Sequence, residues 1–274
     1  MDNSQRLRRE PPPFRPVEVA RSEPLSPYLR RMTLSGRELE GFDIGLAASS
    51  VRLLLPCGDE YLEVPTWNGN EFLLADGQRP TIRTVTPVRF DANRLEVDVE
   101  VVLHGQGPLS QWATSAKPGA RVAVSGPGRG YDIDQDALSF LIAGDESAIP
   151  AIRTIIPALP EAADVQVIIE VRAGEGIVEL PTRPDLDIAW HEQGADAPRD
   201  QLLRSIRETN SDPTTQYWVA GEAAAVQRIR KYLFNDKNVE RSAAVVRGYW
   251  KLNRSSGPTR PKGPTAQQGS VGEV

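Results

Sequence analysis

The chain is poor in metal-binding side chains, with one cysteine, Cys57, and two histidines, His104 and His191, in 274 residues. A single cysteine excludes intrachain disulfides and any iron–sulfur cluster or zinc ribbon built from cysteines. Two histidines argue against a histidine-rich metal site, so no protein metal ligands are expected. No apolar run approaches the roughly 20 residues of a membrane-spanning helix. Residues 1–16 are polar, basic and proline-rich, without the apolar centre of a secretory signal. Excess positive charge is also lacking: 32 Lys and Arg stand against 37 Asp and Glu, for a net charge of -5. A nucleic-acid binder normally carries a basic face. These absences point to a cytoplasmic protein without nucleic-acid partners or stable membrane association.

Two textures divide what is present. Residues 17–131 read as short strands separated by turn signals: Val17-Glu18-Val19-Ala20, Leu29 to Leu34, Val51 to Leu55, Ile82 to Phe90, Leu95 to Leu103 and Ala120 to Ser125. In the fifth, Val97, Val99 and Val101 alternate with Glu96, Asp98 and Glu100, the period of a half-buried antiparallel strand. Six such strands suggest a small antiparallel barrel.

Residues 136–254 instead alternate continuous apolar runs with helical patterns. Leu138 to Ala143, Val165 to Val171 and Gln216 to Gly221 suit strands covered on both faces, with a shorter one at Asp187 to His191. Helices are expected over residues 148–159, 199–208 and 223–234. That order implies a parallel sheet with helices on both faces. Residues 1–16 are expected to be a flexible arm, and residues 255–274, rich in Gly, Pro, Ser and Gln, a disordered tail.

Three motifs carry chemistry. Gly105-Gln106-Gly107-Pro108-Leu109-Ser110-Gln111-Trp112 opens a helix after a strand, and the unpaired amides of such a helix start favour a phosphate. Arg83-Thr84-Val85-Thr86 places an arginine able to pair with phosphate beside hydroxyls able to bond a ring nitrogen. Ala143-Gly144-Asp145-Glu146-Ser147 and Gly221-Glu222-Ala223-Ala224 repeat a glycine–acid pair at two strand ends, where open parallel sheets bind ligands. Two carboxylates repel a pyrophosphate, so a ribose or a nicotinamide amide suits that end better. A strand–helix turn with an N-cap and nothing bound accounts for one such motif equally well, but two of them in one sheet favour a ligand.

The ordered set resembles the siderophore-interacting proteins, FAD-dependent ferric-siderophore reductases among the ferredoxin-reductase-like flavoproteins. It spans residues 14–252 and includes Pro24-Leu25-Ser26-Pro27, Val51-Arg52-Leu53-Leu54-Leu55-Pro56, Leu103-His104-Gly105, Gly126-Pro127, Trp218-Val219-Ala220-Gly221-Glu222 and Gly248-Tyr249-Trp250-Lys251. The resemblance implies a six-stranded FAD-binding barrel followed by an NAD(P)H-binding α/β domain, in a monomer. It implies that Arg83 and the Gly107–Ser110 helix start hold the FAD pyrophosphate, with Thr84, Val85, His104 and Gly105 lining the cofactor. Thr86 is placed by the flavin ring nitrogen, with Tyr249 and Trp250 close to it. Gly144, Asp145, Gly221 and Glu222 border the nicotinamide nucleotide.

The implied reaction passes electrons from NADPH or NADH through FAD to a ferric siderophore and releases ferrous iron. Ferric siderophores are often anionic, and Arg52, Arg247 and Lys251 are the cations expected to meet one. Arg172 is a candidate partner for the 2′-phosphate of NADPH. The sequence departs from the family where Val85 replaces a tyrosine that packs on the flavin, a loss of about 1 kcal/mol on the scale of aromatic pairs. Pro87-Val88 also separates Thr86 from Arg89, displacing the family's second arginine. The alternatives are a flavin-dependent reductase of another acceptor, protein or free flavin, and a non-catalytic relative without FAD.

Overall fold

The computed structural model describes residues 10–57, 62–105, 107–193 and 200–252. The expected disordered tail, the first nine residues of the expected arm, Gln106 and Arg199 lie outside them.

The first half is a seven-stranded antiparallel sheet, one strand more than the sequence pattern suggests. Its strands are β1 (Arg15–Ser26), β2 (Leu29–Ser35), β3 (Val51–Leu54), β6 (Ile82–Val85), β7 (Pro87–Asp91), β8 (Glu96–Val102) and β9 (Arg121–Ser125), in the order β6-β3-β9-β1-β2-β8-β7. A two-stranded ribbon, β4 (Thr66–Trp67) and β5 (Phe72–Leu73), lies between β3 and β6 in the chain. The extra strand arises because the expected single strand over residues 82–90 breaks at Thr86. Pro87 cannot donate to a ladder, so the run stops and restarts. Its halves occupy opposite edges of the sheet yet are one residue apart, so the sheet must curl until its edges meet. Thr86 stands at that seam.

Helix α1 (Pro108–Ser115) packs on the barrel core, where Leu109 and Trp112 meet the cluster that includes Val51, Leu53, Val85, Val97, Val99 and Val101. Val97, Val99 and Val101 are buried as their alternation requires. Glu100 departs from that pattern: it belongs to the polar face but is only 3% exposed.

The second half is a five-stranded parallel sheet of β10 (Ser139–Asp145), β11 (Asp164–Val171), β12 (Leu186–Glu192), β13 (Gln216–Glu222) and β14 (Ala244–Trp250), in the order β12-β11-β10-β13-β14. Helix α2 (Ile149–Ile155) covers one face through Ile149, Ile152 and Ile155. On the other face lie α3 (Gln201–Glu208) and α4 (Ala223–Lys231), through Leu202, Ile206, Val226 and Ile229. The middle strands are near-continuous apolar runs because helices cover both faces. Strand β14 lay hidden behind a motif in the sequence and adds the edge that carries Tyr249 and Trp250. No helix among the described residues is long and apolar enough to cross a membrane.

Glu100 explains how the halves are joined. Its carboxylate takes Arg31 Nη2 at 2.7 Å from β2 and Arg153 Nε at 3.0 Å from α2. Packing of α2 over β7 and β8 turns a nominally solvent-facing position into an ionic joint.

Candidate functional site

The barrel meets the carboxyl-end side of the parallel sheet at the junction, where Arg172, just past β11, reaches the Leu103 carbonyl and the Tyr28 ring. Register pairs Leu53 with Arg83 and Arg52 with Thr84, so Arg83 and Arg52 leave the sheet on opposite faces. Arg83 shares its face with Val85 and donates to the Ile82 carbonyl at 2.8 Å. Burial pushes its pKa down. Val85, at the family's tyrosine position, is buried in the barrel core rather than presented outward. Thr84 is exposed and Thr86 buried, so the two threonines do not share an environment.

Next to this strand, Gly107 precedes α1 with φ +87, no side chain caps the helix, and its first turn holds no acid. The first intrahelical bond runs from the Gln111 amide to the Gly107 carbonyl at 3.1 Å, so the Leu109 and Ser110 amides lie ahead of it. A Cβ on Gly107 would come within 3.2 Å of the His104 ring, which leaves glycine the residue that fits. Ser110 is buried, and its hydroxyl accepts from the His104 amide at 3.0 Å, fixing the turn through Gly105. Desolvation, then the nearby Arg172 charge, holds the His104 pKa below its ordinary value.

The strand ends carry a polar lattice. Asp145 accepts from the Ser147 amide at 2.9 Å, the Ser147 hydroxyl at 2.5 Å, the Glu222 amide at 2.8 Å and Trp250 Nε1 at 2.8 Å. Burial pushes its pKa up, against these four donors, which favour the charged form. Glu222 is buried and caps α4, accepting from the Ala224 and Ala225 amides at 2.7 and 3.0 Å. Its other oxygen accepts the Leu252 amide at 3.2 Å. Both acids of the repeated motif are therefore N-caps at the two strand ends.

The two glycines of that motif serve packing inside the protein. A Cβ on Gly144 would lie 2.3 Å from Ala148 Cβ and 2.6 Å from the Ala220 carbonyl oxygen. One on Gly221, at φ +156, would meet Asp145 Oδ2 at 2.7 Å.

A bulge between Gly221 and Glu222 pairs Gly248 with Gly221 and Trp250 with Glu222, which leaves Tyr249 unpaired and turned out of the ladder. Thr86 at the barrel seam lies near enough to influence its phenol, so the second half approaches the seam. The ring packs edge-on against Trp218, with centroids 6.2 Å apart. Desolvation raises the Tyr249 pKa, opposed by the Arg247 charge.

The three cations expected to meet an anionic substrate differ in setting. Arg52 donates to Ser125 Oγ at 2.9 Å and the Pro12 carbonyl at 3.5 Å, and stacks over Phe14 and Phe72. It ties the N-terminal segment to the barrel on the face away from Arg83. Arg247 donates to the Gly130 carbonyl at 2.8 Å and holds the segment between the halves. Lys251 is exposed beside Trp250.

Arg172, expected near a 2′-phosphate, lies at the junction. It binds Glu146 Oε2 through Nη2 at 2.7 Å and Nε at 3.1 Å, donates to the Leu103 carbonyl at 3.3 Å, and lies over the Tyr28 ring. Sequence reasoning missed Glu146 and Tyr28 as its partners, and Arg31, Glu100 and Arg153 as a joint. The only signal for Glu146 was an acid in a motif with no stated task, and the alternation in β8 pointed Glu100 toward solvent.

A family model described as siderophore-interacting FAD-binding domain matches residues 18–131, and one described as siderophore-interacting protein matches residues 137–253. An uncharacterized Mycobacterium tuberculosis protein is 31% identical over 260 residues, covering 89% of this chain and 92% of that one. The Escherichia coli NADPH-dependent ferric-chelate reductase is 28% identical over 246 residues, covering 86% and 92%. A crystal structure described as that of a siderophore utilization protein from T. fusca superposes with a TM-score of 0.79 at 30% identity, covering 90% and 96%. Ferredoxin reductases at 14% and 12% identity share the fold alone, with TM-scores of 0.63 and 0.62.

Proposed function

The chain belongs to the siderophore-interacting protein family, and from that premise we propose that it is an FAD-dependent NAD(P)H reductase of ferric siderophores, acting in the cytoplasm as a monomer. In this reading residues 17–131 form the FAD-binding domain and residues 136–254 the NAD(P)H-binding domain. The observation that carries it is the junction itself, where Arg172 at the carboxyl end of β11 reaches the Leu103 carbonyl of the barrel and Trp250 of β14 reaches Asp145 of β10. Electron passage between two nucleotides needs such a meeting place.

The residues fit a flavin dinucleotide. Arg83 and the first-turn amides of α1 both favour an anion, their neighbours Val85 and Leu109 pack in one barrel core, and no acid stands in that first turn. Bound FAD would link the two-electron chemistry of a nicotinamide to the one-electron chemistry of ferric iron. Arg83 and the Leu109 and Ser110 amides would hold its diphosphate. The His104–Ser110 bond ties the end of the strand to the helix start. Thr86, buried at the seam, would present its hydroxyl to the ring edge while excluding water. Lys251 would meet an anionic ferric chelate, whose iron is substrate rather than a resident metal. Reduction loosens the chelate because hard oxygen ligands hold ferric iron better than ferrous.

The visible spectrum of the purified protein tests the proposal. Flavin bands bleached by NADPH or NADH and restored by a ferric siderophore are expected. A colourless chain that takes up no added FAD at micromolar concentrations would refute it.

A further inference from the structure

We propose that a groove at the amino ends of β13 and β14 binds a linear polyamine, which bridges the segment between the two halves to the second sheet. The groove lies at the other end of the sheet from Gly221 and Glu222. Strand β13 separates the two ends by seven residues, roughly 20 Å at the rise of a strand. The inference therefore stands apart from the flavin and nicotinamide reading.

The groove encloses about 790 Å³, a volume usual for a small-molecule site. One wall comes from residues 131–134, which lead out of the barrel toward β10, and the other from the chain entering β13 and β14. Asp132 and Asp134 stand on the first wall and Asp212 and Glu240 on the second, against one cation among the described lining residues, Lys237. All four carboxylates are exposed, and none forms an ion pair with a described residue. Among the described residues no three acidic, histidine or cysteine side chains stand close enough to share a metal ion. The negative charge is therefore spread along the groove rather than gathered at a point. Such a field suits a ligand whose positive charges are themselves spaced along a chain.

A buried hydroxyl offers a second hold. Tyr131 lines the groove but is only 5% exposed, because its ring packs in the core beneath α2. No described residue hydrogen-bonds its hydroxyl, whereas Tyr217, on the opposite face of the sheet, donates to Ser211 Oγ at 2.9 Å. A buried polar group without a partner is costly, and an ammonium N–H supplies the donor that the phenol oxygen can accept. Asp134 stands close enough to act on the same phenol, so hydroxyl and carboxylate can share one ammonium.

The bridge acts on the connection between the halves. The Tyr131 amide donates to the Ala47 carbonyl at 2.7 Å, and Arg247 of β14 donates to the Gly130 carbonyl at 2.8 Å. A polyamine reaching from Asp134 to Asp212 or Glu240 adds a further tie to this segment and stabilises the fold by mass action.

The test is calorimetric titration of the full chain with spermidine at about 150 mM salt, where long-range attraction between exposed charges is largely screened. Saturable one-to-one binding and a rise in Tm are expected. Asp134→Asn and Asp212→Asn remove charge but keep the local turns. Asp134 Oδ1 accepts the Asp136 amide at 3.0 Å and Asp212 Oδ1 the Thr214 amide at 2.8 Å, and an amide oxygen can fill either role. Each variant, and Tyr131→Phe, should weaken spermidine about fivefold, the scale of one hydrogen bond. Asp187→Asn, exposed on β12, should leave the affinity unchanged. No saturable heat, or magnesium chloride at equal ionic strength binding as tightly, would overturn the proposal. So would a lysine-rich peptide that binds more tightly than spermidine, or unaltered affinity in any of the three groove variants.

Discussion

Replacing Glu100 with glutamine removes the charge from the joint between barrel and parallel-sheet half while keeping its shape. The carboxylate side chain is 0% exposed, and its partners Arg31 and Arg153 are 28% and 17% exposed. Breaking a buried pair by neutralising one partner costs roughly 3–5 kcal/mol, because the remaining charges stay desolvated. Two observations favour the lower end. Both guanidiniums retain some contact with water, and Glu100 Oε2 is buried without a hydrogen-bond partner, so the native joint is itself imperfect. A loss of about 3 kcal/mol corresponds to a fall in Tm of about 6–12 °C for a chain of this size. Urea unfolding and calorimetry of Glu100→Gln would measure it, with Arg121→Ala as control. The Arg121–Glu18 pair is 3.8 Å apart and 69% and 57% exposed, so its loss should lie within about 0.5 kcal/mol. A Glu100→Gln loss below about 1 kcal/mol would refute the reasoning that this joint is a desolvated one.

Arg83→Ala should weaken FAD binding at least about tenfold, on the scale of a charge-assisted hydrogen bond, read by flavin fluorescence on titration; unchanged affinity would remove Arg83 from the site. Lys251→Glu should raise the KM for an anionic ferric siderophore and leave bound FAD intact, and unaltered kinetics would place the substrate elsewhere. Gly144→Ala should cost about 1–3 kcal/mol through overpacking, since the new methyl would lie 2.3 Å from Ala148 Cβ; an unshifted melting curve would contradict that packing. Burial, then Asp134, pushes the Tyr131 phenol from 10.0 up to about 12. A raised folded-state pKa contributes stability that is complete below pH 10 and disappears as pH rises through about 12. Tyr131→Phe should flatten the alkaline loss of stability between those values, and an equally steep loss in the variant would contradict it.

The two-part architecture was legible in the chain because periodicity is a local property. Alternating valines in β8 can only serve a one-sided sheet, and the unbroken apolar runs of β10, β11 and β13 only a sheet covered twice. The helix start at Gly107 and the glycine–acid pairs at residues 144–145 and 221–222 were likewise visible as short-range patterns. Sequence could not say that Thr86 ends one edge of a barrel and begins the other, since closure depends on strands distant in the chain. Nor could it distinguish acids that cap helices from acids that meet a ligand. Asp145 and Glu222 look alike in the sequence, and their partners, Trp250 and the Leu252 amide, come from a strand added last at the sheet's far edge. Glu100 is the sharpest case: its position in the alternation marks it for solvent, and the packing of α2 against the barrel buries it between two arginines. Local patterning determined which segments form and which faces are apolar. Which polar groups lose their water, and to what partners, was decided only when the two halves met, because desolvation is a property of the assembled surface.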